Sequence, residues 1–207
     1  MPLDPRWRGR PPETAETRLE HLPDGRLAMT IRHAPLAGIT PAMLDWWFRN
    51  LGGTMDWQGR QVPRYHVWHP RDHMHWALVR AAPGGGVGPR AVFRLVEPFR
   101  ADPRFAIDVQ ETVRALSPEG IVLEGRIAGL RVTRLAHRFT ALAGAAGHAL
   151  RLEVGFAVPV PGPVLNRAVV ARRFPPDMGR AWIAHNIEEV GQLGAFLPAL
   201  WAQRTAA

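Results

Sequence analysis

Four of the chain's nine histidines fall within HVWHPRDHMHW, residues 66–76, between tryptophans and beside an aspartate. His69 and His73 stand four residues apart, so one helical turn places both imidazoles on one side, with Cβ atoms roughly 5–6 Å apart. Pro70 suits the first position of such a turn. That spacing can hold one metal ion; it is also the spacing of a polar turn whose histidines cap backbone groups and face water. His66 and His75 keep other pairings open, since in an extended stretch His73 and His75 would share a face. The chain has no cysteine, so any metal must be held by His, Asp and Glu.

A tetrahedral catalytic ion needs three protein ligands and an open position, so a remote residue must join the pair. In AVFRLVEPF, strand alternation puts Phe93, Leu95 and Glu97 on one face and Arg94 on the other. A carboxylate pointing with apolar side chains is costly without a cation nearby. Glu111 lies in the same way among Ile107, Val109 and Val113, so burial alone does not choose between the two acids. Further on, HNIEEVG sets His185 three and four residues before Glu188 and Glu189, and one or both acids can sit beside that imidazole on a helix.

The elements that must position these groups read as α+β. TPAMLDWWFRN is a helix with Thr40 as cap, Pro41 at its first position and LGG as its stop. AVFRLVEPF, DVQETVRAL, GIVLEGRIAGL, RVTRLAHRF and RLEVGFAVPV are about five short strands of an antiparallel meander, with PGGGVG as a hairpin connection rather than a phosphate loop. VPVPGPVLNRAVVARRFPP reads as a surface loop. PDMGRAWIAHNIEEVGQLGAFLPALW is a long terminal helix, with Trp182, Ile183, Ile187, Val190 and Leu193 at helical offsets. LAMTIRHAPL is a short strand or a surface clasp. A curved sheet around a long helix leaves room for an apolar cavity. Trp47, Trp68 and Trp76 are candidates for its walls, against the plainer reading that they are core.

Composition bounds the function. At 207 residues the chain reads as one domain: a proline-rich N-terminal extension over 1–35 and a catalytic domain over 36–201. The formal charge of +8 comes entirely from arginines, scattered among Pro, Gly and Ala, which argues against a nucleic-acid stripe. No apolar run reaches the roughly 20 residues of a membrane helix and the N-terminus lacks a signal-like stretch, so no membrane partner and a cytoplasmic location are expected. A homodimer is compatible with the sequence. No GxSxG elbow is present, which removes support for a serine hydrolase of the α/β type.

WHPRDH, HNIEEVGQLGAFLPALW and, upstream, DWWFRN resemble the diacetylphloroglucinol hydrolase family, zinc-dependent enzymes that cleave a carbon–carbon bond to release an acetyl group from an acylated phenol. The resemblance runs from about residue 36 to 201. It implies a helix-grip, Bet v 1-like fold and a Zn²⁺ held by His69, His73, Glu97 and His185, with His137 in RLAHRF near the substrate. It implies an aromatic or β-diketone-like small molecule, hydrolysed next to a carbonyl by metal-activated water, with His137 as the acid that protonates the departing carbon. Two departures stand out. The family holds substrate hydroxyls with tyrosines, and Tyr65 is the single tyrosine here; Asp72 stands where the family's phenol-cleaving enzyme has asparagine, as a support for the site or a substrate contact. The competing expectation is a binding module that carries an apolar ligand in the same cavity without turning it over.

Overall fold

The computed structural model describes residue 7 and residues 9–157 and 162–204. Its main sheet is antiparallel, in the order β1 (Ala15–His21), β2 (Leu27–His33), β11 (Ala145–Val154), β10 (Leu130–Leu142), β9 (Gly120–Ile127), β8 (Ala106–Ser117), β7 (Val92–Pro98), β6 (His75–Arg80), with the short β3 (Leu36–Ala37) also paired to β11. A separate hairpin is made by β4 (Thr54–Trp57) and β5 (Arg60–Pro63). Around the sheet lie α1 (Pro41–Arg49), the short α2 (Arg64–Trp68), α3 (Gly162–Arg173) and the long α4 (Pro176–Gln203). The α+β helix-grip architecture expected from the strand meander and terminal helix is therefore present.

The sheet bends because its registers shift. Extra residues interrupt the pairing of β6 with β7, of β8 with β9 and of β9 with β10, and such bulges increase local twist and curl a sheet. The concave side is apolar by alternation: in β7 Phe93 is buried while Arg94 faces outward to bind Asp108. Two hydrophobic clusters fill that side. One joins α1 and the second half of α4 through Trp47, Phe48, Leu193 and Phe196. The other joins the first half of α4 to β2 and β11 through Met29, Ile31, Leu150 and Trp182. Leu135 of β10 packs against both, and the cavity lies between them.

Helix α1 begins as its sequence dictates: the Thr40 hydroxyl accepts the Met43 N–H at 3.2 Å, and Pro41 occupies the first turn. One open alternative is resolved and two expectations need correction. LAMTIRHAPL is strand: Leu27, Met29 and Ile31 alternate toward α4 as β2, and Leu36 belongs to β3. The division at residue 36 is thus no structural boundary, because residues 15–33 supply two strands of the same sheet and the crowding of prolines lies before them. The segment expected as a surface loop is helical over Gly162–Arg173; residues 158–161 lie outside the described residues. Pro163 sits within the first turn, where no helical hydrogen bond is lost, and Pro175 and Pro176 lie beyond the end of the helix, at the start of α4. Asn166 then ties α3 down, accepting from the Phe156 N–H at 2.7 Å and donating to the Asp24 carbonyl at 2.9 Å.

Gly120 opens β9 directly beside the carbonyl of His137, at φ +148, and a Cβ there would lie 2.0 Å from that oxygen. Gly120→Ala is expected to destabilise the protein by at least about 1–3 kcal/mol, read as a lower urea midpoint at unchanged m-value.

Candidate metal centre

The histidine turn forms as its spacing suggests. The His73 N–H donates to the His69 carbonyl at 3.0 Å, an i to i+4 bond around Pro70. Both imidazoles are buried. His73 Nδ1 donates to the Tyr65 carbonyl at 2.8 Å, which fixes the tautomer and leaves Nε2 as a bare lone pair; that buried atom has no hydrogen-bond partner. Around it stand Glu97 Oε1 at 3.5 Å and Glu189 Oε2 at 3.3 Å. His66 and His75 take no part: His75 is exposed, and His66 Nε2 donates to the Met74 carbonyl at 3.2 Å.

From the opposite side α4 brings His185. Its Nδ1 donates to Asp72 Oδ2 at 3.0 Å, so its Nε2 also presents a lone pair, 3.7 Å from Glu97 Oε2 and 3.9 Å from Glu189 Oε2. Ligand atoms of His73, Glu97 and His185 lie within 4.8 Å of one another, as do those of His69, Asp72 and His185. The first set leaves the Asp72 bond to His185 intact, the arrangement in which a carboxylate orients a metal-ligating imidazole. His69 faces elsewhere. Its Nδ1 accepts the Asp72 N–H at 3.2 Å and its Nε2 donates to Glu188 Oε2 at 3.3 Å.

Asp72 is fully buried and saturated. It accepts from His185 Nδ1, from Arg71 Nε at 2.8 Å and from the backbone N–H groups of Arg100 at 2.9 Å and Ala101 at 3.0 Å. Burial raises its pKa, but the bonds from His185 and Arg71 outweigh that and hold it well below the usual carboxylate range. Asp72 does not line the cavity; its carboxylate orients the His185 imidazole. The Tyr65 hydroxyl donates to Glu97 Oε1 in a short bond and so aims that carboxylate.

The acids facing the imidazoles are crowded. Glu97 is raised to about 8, first by burial, against the Tyr65 bond and with help from Glu111 and Asp72. Glu189 is raised well above its ordinary value by burial, then by Glu97 and Asp72. The imidazoles move the other way: burial lowers His185 to about 4 and, with the neighbouring imidazoles, drives His73 well below its ordinary value. Neutral imidazoles beside carboxylates whose negative charge lacks compensation are the donor set a divalent cation requires, and the bare Nε2 of His73 fits it.

This cluster opens on a cavity of about 130 Å³ lined by Tyr65, Trp68, Trp76, Glu97, His137 and His185 among others. That is on the order of the ~150 Å³ hollow that takes one benzene ring. Trp68 and Trp76 are walls, whereas Trp47 is core. His137 faces the cavity from β10, with Nδ1 3.1 Å from Nε2 of His148, over which His33 stacks at 4.9 Å. Burial lowers His137 to about 3, so it is a neutral imidazole at neutral pH. Sequence reasoning left Glu97 and Glu111 tied; both line the cavity, and Glu97 is the one within reach of the imidazoles. Glu189 carried a legible signal, because Trp182, His185, Glu189, Leu193 and Phe196 follow the helical repeat of one buried face. His148 had none.

Residues 6–83 match the model of the DAPG hydrolase PhiG domain. The DAPG hydrolase match covers the histidine turn and α1, and it agrees with the resemblance carried by WHPRDH and DWWFRN. No curated protein is significantly similar to the chain in sequence. Among solved structures, a START superfamily protein from Mycobacterium smegmatis aligns with TM-score 0.51 and 12% identity over 84% of this chain and 98% of its own. The solution structure of the KanY protein (ms6282) aligns with TM-score 0.50 and 13% identity over 81% of this chain and 95% of its own. At these identities the two structures establish the helix-grip fold. Among the described residues no helix is long and apolar enough to cross a membrane.

Glu111, raised to about 7 by burial, sets a pH-dependent test of the cavity. A carboxyl whose folded pKa lies above its unfolded value of roughly 4.3 stabilises fully below that value and loses the contribution as pH rises through the folded pKa. Glu111→Gln should therefore gain stability relative to the parent chain as pH rises from about 4.5 to about 7, then level off. Paired urea titrations check this; a difference that stays flat with pH contradicts the buried placement.

Proposed function

We propose that the protein is a metal-dependent hydrolase, with zinc as the ion, that cleaves a carbon–carbon bond next to a carbonyl in an acylated phenol or β-diketone-like small molecule. The observation that carries this reading is the convergence of two neutral imidazole nitrogens and one carboxylate at the wall of a cavity sized for a single ring. His73, Glu97 and His185 hold the ion; the family resemblance supplies His69 as a fourth ligand, although both of its nitrogens are engaged elsewhere. When bound, such an ion polarises a carbonyl and activates water at neutral pH.

The chain's own residues do the rest. Tyr65 aims Glu97 and Asp72 aims His185, so the ligands are held before anything binds. Trp68, Trp76 and Phe93 give the ring an apolar seat that excludes water. Carbon leaves only as a stabilised enolate, which a ketonised phenol or a β-dicarbonyl provides, and a proton must reach that carbon. His137 is the group for this step: it reaches the cavity as a neutral imidazole, takes up the proton released by the attacking water and passes it to the departing carbon, with its Nδ1 braced by His148. The cytoplasm is the expected setting.

Purified protein should carry close to one zinc per chain, and both His185→Ala and Glu97→Gln should lose it, measured by elemental analysis of dialysed samples. Acylated phenols and cyclic β-diketones should be consumed with release of a carboxylic acid. His137→Ala should lower kcat about 100-fold or more while leaving metal content unchanged. A zinc-loaded protein that only binds such compounds would instead support the carrier reading.

A further inference from the structure

We infer that His148 is a positioning residue for His137: its Nε2 lone pair receives the Nδ1–H of His137 while that imidazole carries the proton on its way to the departing carbon. The inference rests on the proposed reaction and deepens it. Strand register brings the two side chains together. In the pairing of β10 with β11, His137 stands opposite Leu150 and His148 opposite Phe139, so both histidines project from the same face of the sheet. Both are buried, but only His137 lines the cavity. Their facing nitrogens, Nδ1 of His137 and Nε2 of His148, are 3.1 Å apart. Nε2 of His137 is therefore the nitrogen left for the cavity.

Burial keeps both rings neutral at neutral pH, so each holds one proton and one lone pair, and a single proton bridges the two facing nitrogens. An imidazole that gains a second proton has only N–H groups to offer. Once His137 takes up a proton, the bridge survives only with His148 as its acceptor. Nothing commits His148 to the donor role: its Nδ1 has no hydrogen-bond partner, and neither nitrogen of His33, stacked on it at 4.9 Å, has one. His73 and His185 differ, because their Nδ1 protons are held by the Tyr65 carbonyl and by Asp72. The tautomer of His148 is free to follow the protonation of His137.

The surroundings make such an acceptor necessary. The charged and titratable groups that act on the pair are His33 from β2 and Arg10 from the N-terminal segment, which donates to the carbonyls of Ala34 at 2.7 Å and Pro35 at 3.1 Å. Phe48 of α1 lies against His137 at 5.1 Å and Phe139 against His148 at 5.4 Å. None of these is an anion, and the acids that line the cavity are not among the groups that act on His137. A buried charge without a hydrogen-bond partner is costly, and His148 supplies the bond. In the step itself the oxygen of the attacking water bonds to the acyl carbon and its proton goes to His137 Nε2. The carbon–carbon bond breaks with its electron pair on the departing carbon, which takes the proton from Nε2. His137 ends neutral, and one water has become part of the carboxylic acid and the deacylated product.

The test uses the full chain with acylated phenols and cyclic β-diketones as substrates. The amide of His148→Gln reaches the position of Nε2, whereas that of His148→Asn reaches only the position of Nδ1. His148→Asn is expected to lower kcat about 10–100-fold with KM and metal content within about 2-fold of the parent, and His148→Gln to keep kcat within about 5-fold. His33→Leu removes the stacked ring but no hydrogen bond, and should stay within about 3-fold of the parent. Equal kcat in the Asn and Gln variants, both fast or both slow, would overturn the inference and leave the hydrolase reading standing. A parent chain that consumes none of these compounds defeats both. Ring-nitrogen NMR of the isotope-labelled parent gives a readout apart from turnover. A coupling between Nδ1 of His137 and Nε2 of His148 across the shared proton is expected at neutral pH, and two uncoupled rings overturn the inference even where a variant does not fold.

Discussion

The buried carboxylate of Asp72 is the interaction on which the rest depends. It gathers donors from three places far apart in sequence: Arg71 in the histidine turn, the backbone of Arg100 and Ala101 after β7, and His185 in α4. Arg100 and Ala101 both adopt positive φ, 62 and 55, a costly backbone state for side chains with a Cβ. That conformation aims two successive N–H groups at one anion, as a nest does. Were the carboxylate lost, this strain would have no return and the link between turn, sheet and terminal helix would open.

Behind that link lies a problem of buried charge. Glu97, Glu111 and Glu189 face the same small cavity, and burial pushes each upward. Ion pairs on the surface relieve none of it. Tyr65 donates to Glu97, while the imidazoles of His73 and His185 turn lone pairs rather than protons toward the acids and so do not offset their charge. Acids and neutral imidazoles arranged this way could hold a cation, and a cation bound only by the folded chain would add its binding free energy to folding.

The cavity exists because α4 is anchored at both ends. Trp182 and Met178 pack its first half on β2 and β11, and Phe196 and Leu197 pack its second half against α1. His185 and Glu189 fall between the two anchors, on the same face. The bulged strands curl away there and leave one ring's worth of space.

How much of this was legible follows from the range of each interaction. Local spacing determined the capped helix after Thr40, the closed turn from His69 to His73 and the inward face shared by Phe93, Leu95 and Glu97, because each depends on neighbours within a few residues. The helix over Gly162–Arg173 was hidden, since Asn166 holds it through bonds to Asp24 and Phe156. Which glutamate meets the imidazoles and which of Glu188 and Glu189 turns inward were left to the tertiary structure. Those outcomes turn on where the Asp72 carboxylate pins α4 against the turn, and alternation and helical offset carry no information about the distance between separate elements.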